Sequence, residues 1–153
     1  MARRRSAGRT GGAVSRFARI AYHLSRLVLG GLFLYAGLVK AGDVTAFARD
    51  VANYKILPYS WNYLVAATLP YIEFLAGLLL IANRRVRPAA LVTGGLTAVF
   101  MLILASVVAR GLDIDCGCFR PGGHTTAAQA LWRDAGILLL SIVTYRLRGR
   151  PAP

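Results

Sequence analysis

Stretches of roughly 20 mostly apolar residues recur along this chain and leave few folds open to it. At about 1.5 Å of rise per helical residue, such a stretch covers the ~30 Å hydrocarbon core of a bilayer. IAYHLSRLVLGGLFLYAGLV (20–39), WNYLVAATLPYIEFLAGLLLIA (61–82) and PAALVTGGLTAVFMLILASVVA (88–109) all have this length. ILLLSIVTY (137–145) is too short alone, so its helix is predicted to reach back through Ala128–Asp134. That gives a fourth span over 128–146, with Thr125 or Thr126 as its N-cap. Only 16% of the 153 residues are charged, against about a quarter in ordinary soluble domains. The expectation is an all-α integral membrane protein, a bundle of four transmembrane helices, with no room for a soluble domain in the connections.

The formal charge of +13 raises the question of nucleic acid. The arginines cluster between apolar blocks, and no basic face is interleaved with aromatics for base stacking. Positive-inside topology accounts for the charge, so the bilayer is the expected partner and nucleic acid is not. Arg3, Arg4, Arg5, Arg9, Arg16 and Arg19 precede the first span; Arg84, Arg85 and Arg87 lie between the second and third; the C-terminus adds Arg146, Arg148 and Arg150. Asp43, Asp50, Asp113 and Asp115 offset positive charge in the other two connections. Both termini are therefore expected in the cytoplasm, and the connection over 110–127 outside it. The basic segment 1–19, without apolar periodicity, reads as a disordered cytoplasmic tail held near anionic lipid, and 148–153 as a second tail. Val39-Lys40-Ala41 loosely fits a signal-peptide cleavage site. The length of the first block and its His23 and Arg26 favour an uncleaved helix instead.

Between the first two spans, Val44, Phe47, Val51 and Tyr54 recur at helical spacing and Pro58 ends the pattern. A short amphipathic helix lying in the outer interface fits, with Tyr59, Trp61 and Tyr63 as an aromatic belt. Ala90, Gly94 and Ala98 form a small-residue stripe that lets the third span pack closely on a neighbour.

The only two cysteines stand in DCGCF (115–119), separated by one glycine. An extracytoplasmic position permits a disulfide, which the cytosol would keep reduced. Bonded cysteines need Cα atoms about 4.4–6.8 Å apart, so i,i+2 neighbours close a ring only where the backbone bends, and Gly117 allows that. So small a ring contributes little chain-entropy stabilisation, and a strained one is readily reduced. The spacing serves thiol–disulfide exchange at Cys116 and Cys118 better than a structural bond. Metal binding by Cys116, Cys118 and His124 with Asp113 or Asp115 stays open, although zinc sites usually draw on two ligand pairs. An inert turn stays open as well.

Glu73 lies halfway along the second span, where an ionised carboxylate needs a partner. Arg26 on the first span is the best match by depth, counted from the inner ends of the two helices. An alternative is a protonatable acid beside a quinone headgroup, with His23, Tyr35 and Tyr71 contributing to the pocket. Arg133 and Asp134, in the outer half of the fourth span, either stabilise a thiolate or neutralise each other or neighbours across the bundle.

LPYIEFLAGLLL (69–80), a basic turn, RGLDIDCGCF (110–119) and LWRDAGILLL (131–140) together resemble the MauE branch of the DoxX-like membrane proteins, named for a methylamine-utilisation protein. The resemblance covers about residues 25–147 and places Glu73, Cys116, Cys118 and Arg133 on the family pattern. It implies a four-helix bacterial cell-membrane protein associated with thiol chemistry outside the cytoplasm; the namesake is thought to help mature a disulfide-rich exported subunit. The expected function is thiol–disulfide exchange through Cys116 and Cys118, with Glu73, Arg133, Arg26 and Asp134 in support. The partner would be a thioredoxin-like or cysteine-rich exported protein, and a quinone is the candidate cofactor. The competing readings are a non-enzymatic scaffold for such a partner and metal handling through the cysteine loop.

Overall fold

A computed structural model describes residues 7–111 and 126–148, apart from the side chains of residues 7–15, 59 and 127. Five helices follow in order: α1 (Ala7–Gly42), α2 (Val44–Asn53), α3 (Tyr59–Ile81), α4 (Val86–Ala109) and α5 (Ala127–Arg148). The sequence between α4 and α5, with Cys116, Cys118, Asp113, Asp115, His124 and Thr125, lies outside the described residues.

The long helices form two antiparallel pairs, α1 along α3 and α4 along α5, with α1 also touching α5 and α3 touching α4. Glycines set the first pairing. A Cβ on Gly77 would lie 2.5 Å from the Leu34 nitrogen and 2.7 Å from the Gly30 oxygen, and one on Gly37 would lie 2.7 Å from both the Phe74 nitrogen and the Pro70 oxygen. The two backbones are therefore in direct contact, as small residues allow in membrane bundles. The stripe expected on the third span serves the second pairing. Ala90 is buried, a Cβ on Gly94 would meet Ser141 Oγ at 2.8 Å, and Ser141 Oγ donates to the Ala90 carbonyl at 2.6 Å.

Three helical stretches are long and apolar enough to cross a membrane: Arg16–Gly42, Ser60–Ile81 and Val86–Ala109. The chain is a helical, multi-pass membrane protein. Of the four spans expected, three qualify among the described residues; α5 has the length but not the hydropathy. Its polar side chains point inward. Asp134, Ser141 and Thr144 are buried, while Trp132, Leu139 and Ile142 are exposed. Thr144 Oγ1 donates to Ser25 Oγ at 3.1 Å, tying α5 to α1. At its start Thr126 Oγ1 accepts from the Gln129 N–H, and Gln129 Oε1 accepts from the Thr126 N–H, a reciprocal capping box.

Two expectations need correction. Helix α1 begins at Ala7 rather than near residue 20, so most of the basic segment expected to be disordered is helical. Once a long buried span has formed, each added residue gains a hydrogen bond without a new nucleation cost. The apolar stripe of α2 is also not left to lipid. Phe47 and Val51 pack with Ala66 of α3, and Tyr54 packs with Leu104 and Val107 of α4. Asp43 caps α2 by accepting the Ala46 N–H at 2.8 Å; that bond first, then one from Thr45, holds its carboxyl below the usual carboxylate range.

Helix ends close in the manner expected of left-handed caps. After α3, Asn83 takes φ 56°, and the N–H groups of Arg84 and Asn83 bond the carbonyls of Leu79 and Leu80. The stretch of α1 around Tyr22, the α3–α4 turn and the α5 end meet at one end of the bundle, where Tyr22 Oη donates to Asn83 Oδ1 and Arg87 lies over the Tyr145 ring; Arg16, Arg19, Arg84, Arg85, Arg87, Arg146 and Arg148 belong to that end. The opposite end carries α2 and the approach to the cysteine segment.

Candidate functional site

The antiparallel register of α1 and α3 decides which charges meet inside. Gly30 lies against Leu80 and Ile81, and Gly37 against Pro70 and Phe74. Glu73 is thus level with the last turn of α1, not with its middle. Its partner is Lys40, whose Nζ donates to Oε1 at 2.6 Å and to Oε2 at 2.8 Å. Both side chains are 5% exposed. The expected Glu73–Arg26 pair does not form. Counting depth from the apparent inner end of the first block placed Arg26 too deep, because α1 continues well beyond that point.

Arg26 instead lies over the C-terminus of α3. Its Nη1 donates to the Leu80 carbonyl at 2.7 Å and the Ile81 carbonyl at 3.1 Å, setting a positive charge at the negative end of the helix dipole. This makes Arg26 a structural cap at the basic end, remote from Glu73.

Lys40 follows Leu29, Phe33 and Ala36 at steps of four, three and four residues, all buried on one face of α1. That periodicity was the available sign that a lysine near the end of an apolar block points into the protein. Its ammonium lies 5.1 Å from the ring centroid of Phe47 and 5.4 Å from that of Phe100. One cation thus contacts α2, α3 and α4, through two aromatic faces and a carboxylate.

The second pair lies across from the first. Arg133 Nε donates to Asp134 Oδ1 at 2.9 Å, and Nη2 reaches the same oxygen at 2.9 Å. Asp134 is only 6% exposed in its side chain and Arg133 31%. The contact is the mutual neutralisation expected of these residues; the thiolate role concerns cysteines that lie outside the described residues. Lys40 also acts electrostatically on Asp134. Arg133, Asp134, Lys40 and Glu73 therefore form a ladder of alternating charge from α5 through α1 to α3.

A cleft of about 40 Å³ runs beside this ladder, lined by all four charged side chains and by Thr97 and Phe100 of α4 among others. By the same measure one water needs about 10–15 Å³, so about three or four fit; an apolar pocket that holds a benzene ring measures about 150 Å³. The volume enclosed by the described residues is sized for water and is smaller than a quinone ring needs. The expected quinone contributors do not converge on it either. Tyr35 and Tyr71 are 56% and 62% exposed, and His23 is exposed beside Tyr22. Tyr71 is two residues from Glu73, about 200° around the helix, and so faces the opposite way.

The ladder belongs to the end of the bundle from which the cysteine segment departs. Asp134 is eight residues into α5 from Thr126, about 12 Å along the axis. Arg110, last before that segment, donates from Nη2 to the Tyr54 carbonyl at 3.0 Å and fastens the end of α4 to α2.

With this arrangement of helices and intramembrane charges in place, the comparison with known proteins is decisive. The sequence profile of the family described as "Methylamine utilisation protein MauE" matches residues 18–147. The chain belongs to the MauE family. It is 39% identical over 98 residues to the "Methylamine utilization protein MauE" of Paracoccus denitrificans, an alignment covering 63% of this chain and 53% of that protein. The MauE protein of Paracoccus versutus matches at the same identity and coverage. The chain spans about half the length of the curated MauE relatives it matches. No solved structure matches it.

Proposed function

We propose that this MauE-family protein is a membrane-embedded thiol–disulfide exchange protein that acts on exported partners through Cys116 and Cys118. The observation that carries the reading is the buried charge ladder at the end of the bundle where the cysteine-bearing connection begins. Buried intramembrane ion pairs are costly to maintain, and this one borders a water-sized cleft rather than sealed packing. Thiol exchange needs a nearby means of handling protons and charge, because the reactive species is the thiolate.

In this reading α5 is the fourth span. Its 22 residues extend about 33 Å, enough to cross the core, and it accompanies α4 from Val107 to Ala90 with apolar side chains outward. The arginines gathered at one end face the cytoplasm, both termini with them, so the cysteine segment is extracytoplasmic in a bacterial cell membrane. The partner is a thioredoxin-like or disulfide-rich exported protein. The names of the relatives make methylamine-utilisation systems one setting for it.

The test is trapping. Intact cells are acid-quenched, alkylated with a membrane-impermeant maleimide before and after reduction, and compared with a Cys118→Ser strain. A reversible Cys116–Cys118 disulfide labelled from outside, with a mixed disulfide to a partner in the variant, is the expected result. Two thiols that stay reduced and trap nothing overturn exchange. Loss of partner abundance with its disulfides intact, in a strain lacking both cysteines, points to a scaffold; metal retained by the purified protein and lost with both cysteines points to metal handling.

A further inference from the structure

Charge is divided unequally between the two ends of the bundle. No aspartate or glutamate stands in 1–42, 74–112 or 135–153, the stretches that contain the arginine end. Arg16, Arg19, Arg84, Arg85, Arg146 and Arg148 are exposed there, and among the described residues their side chains have no ion pair or hydrogen bond. Arg26 lies deeper at the same end, 7% exposed, and its buried Nε has no partner. Like charges gathered without counter-charges raise a positive potential over that surface and attract an anion to it.

The fold joins these arginines into one patch. Tyr22 Oη donates to Asn83 Oδ1 at 2.8 Å, which ties the α1 arginines to the turn that carries Arg84 and Arg85. The Arg87 guanidinium lies 5.8 Å from the Tyr145 ring centroid, which ties the start of α4 to the α5 end with Arg146 and Arg148. An apolar stripe runs down from the patch along α1. Ile20, Leu24 and Leu27 follow Arg16 at steps of four, four and three residues, one face of the helix, and all three are exposed. The patch adjoins three helices long and apolar enough to span a membrane, so the phosphates nearest to it are those of the bilayer.

We propose that this end of the bundle is a binding surface for anionic phospholipid in the leaflet it faces. Arginines from α1, the α3–α4 turn and the end of α5 take the headgroup phosphates, and acyl chains lie along the α1 stripe. Arginine suits this partner, because a planar guanidinium donates two parallel N–H bonds to one phosphate. The sequence reading placed anionic lipid near residues 1–19 alone; the fold adds the turn and the α5 end to the same surface. The surface stands independently of the exchange reading.

The test is lipid selectivity read by electron spin resonance. Purified protein is reconstituted in phosphatidylcholine nanodiscs with a trace of spin-labelled phosphatidylglycerol or spin-labelled phosphatidylcholine, and the motionally restricted fraction of each is measured. The expected result is a preference for phosphatidylglycerol of at least about fivefold at low salt, the factor for roughly 1 kcal/mol from a basic residue near an anionic surface. The preference falls at about 0.5 M salt, where charges are screened within a few ångströms. Arg84→Gln with Arg85→Gln lowers it by about half or more, Arg16→Gln with Arg19→Gln does the same, and the four together leave less than about twofold. Arg49→Gln with Lys55→Gln, exposed cations on α2 and just after it at the other end, leaves it unchanged. If one arginine pair fails to fold, the other decides. Equal restriction of the two lipids in the wild type overturns the proposal. So does a preference that survives both arginine pairs, or one that the Arg49 and Lys55 changes reduce as much.

Discussion

Replacing Lys40 by methionine lowers the stability of the folded protein by about 3–5 kcal/mol, because Glu73 is left as an unpaired carboxylate inside the bundle. Replacing Glu73 by leucine costs a similar amount through the stranded ammonium. Combining the two recovers most of the loss, since an ion pair and a well-packed apolar pair of similar volume are nearly equivalent once both charges are gone. The measurement is reversible unfolding in mixed micelles for wild type, both single variants and the double variant. Single variants within about 1 kcal/mol of wild type would sink the claim, since that is the scale of a solvent-exposed pair. The double variant also separates structure from chemistry. A double variant that folds but loses the exchange proposed above would show that the pair serves chemistry as well as packing.

The second large effect falls on the contact between α1 and α3. Gly77→Leu destabilises by about 3 kcal/mol or more, because its Cβ meets Leu34 and Gly30 backbone that cannot rotate away. Gly77→Ala is a closer contest. Helix propensity favours alanine by about 1 kcal/mol, while overpacking costs about 1–3 kcal/mol, so the net change is destabilising. The control is Gly95→Ala, where nothing lies within 4 Å of the added carbon. There only the propensity acts, and the variant is neutral or up to about 1 kcal/mol more stable. Equal effects at Gly77 and Gly95 in unfolding experiments would show that the two helices do not touch as described. Separation of α1 from α3 also moves Lys40 away from Glu73, so Gly77→Leu compounds the loss of the pair.

The apolar blocks by themselves determined the helical membrane architecture, the antiparallel succession of the long helices and the collection of arginine at one end. These follow from hydrocarbon thickness and charge placement, which act on local stretches of chain. The α2 helix was legible from the spacing of Val44, Phe47, Val51 and Tyr54, but what that stripe packs on was not: lipid and the α3 surface are equally apolar, and only the fold puts protein there. The fourth helix was legible only by extension, because its polar side chains turn inward and depress its hydropathy. Within the site, sequence identified Glu73, Arg133 and Asp134 as out of place in an apolar setting. It paired Glu73 with Arg26, since depth counted from the end of an apolar block takes that end for the end of the helix. Tertiary structure decided otherwise. Contact at Gly30, Gly37 and Gly77 fixes the register of α1 on α3, and that register brings Lys40 to Glu73 and leaves Arg26 to cap the end of α3. A register between helices is a property of two surfaces meeting, and neither surface carries it alone.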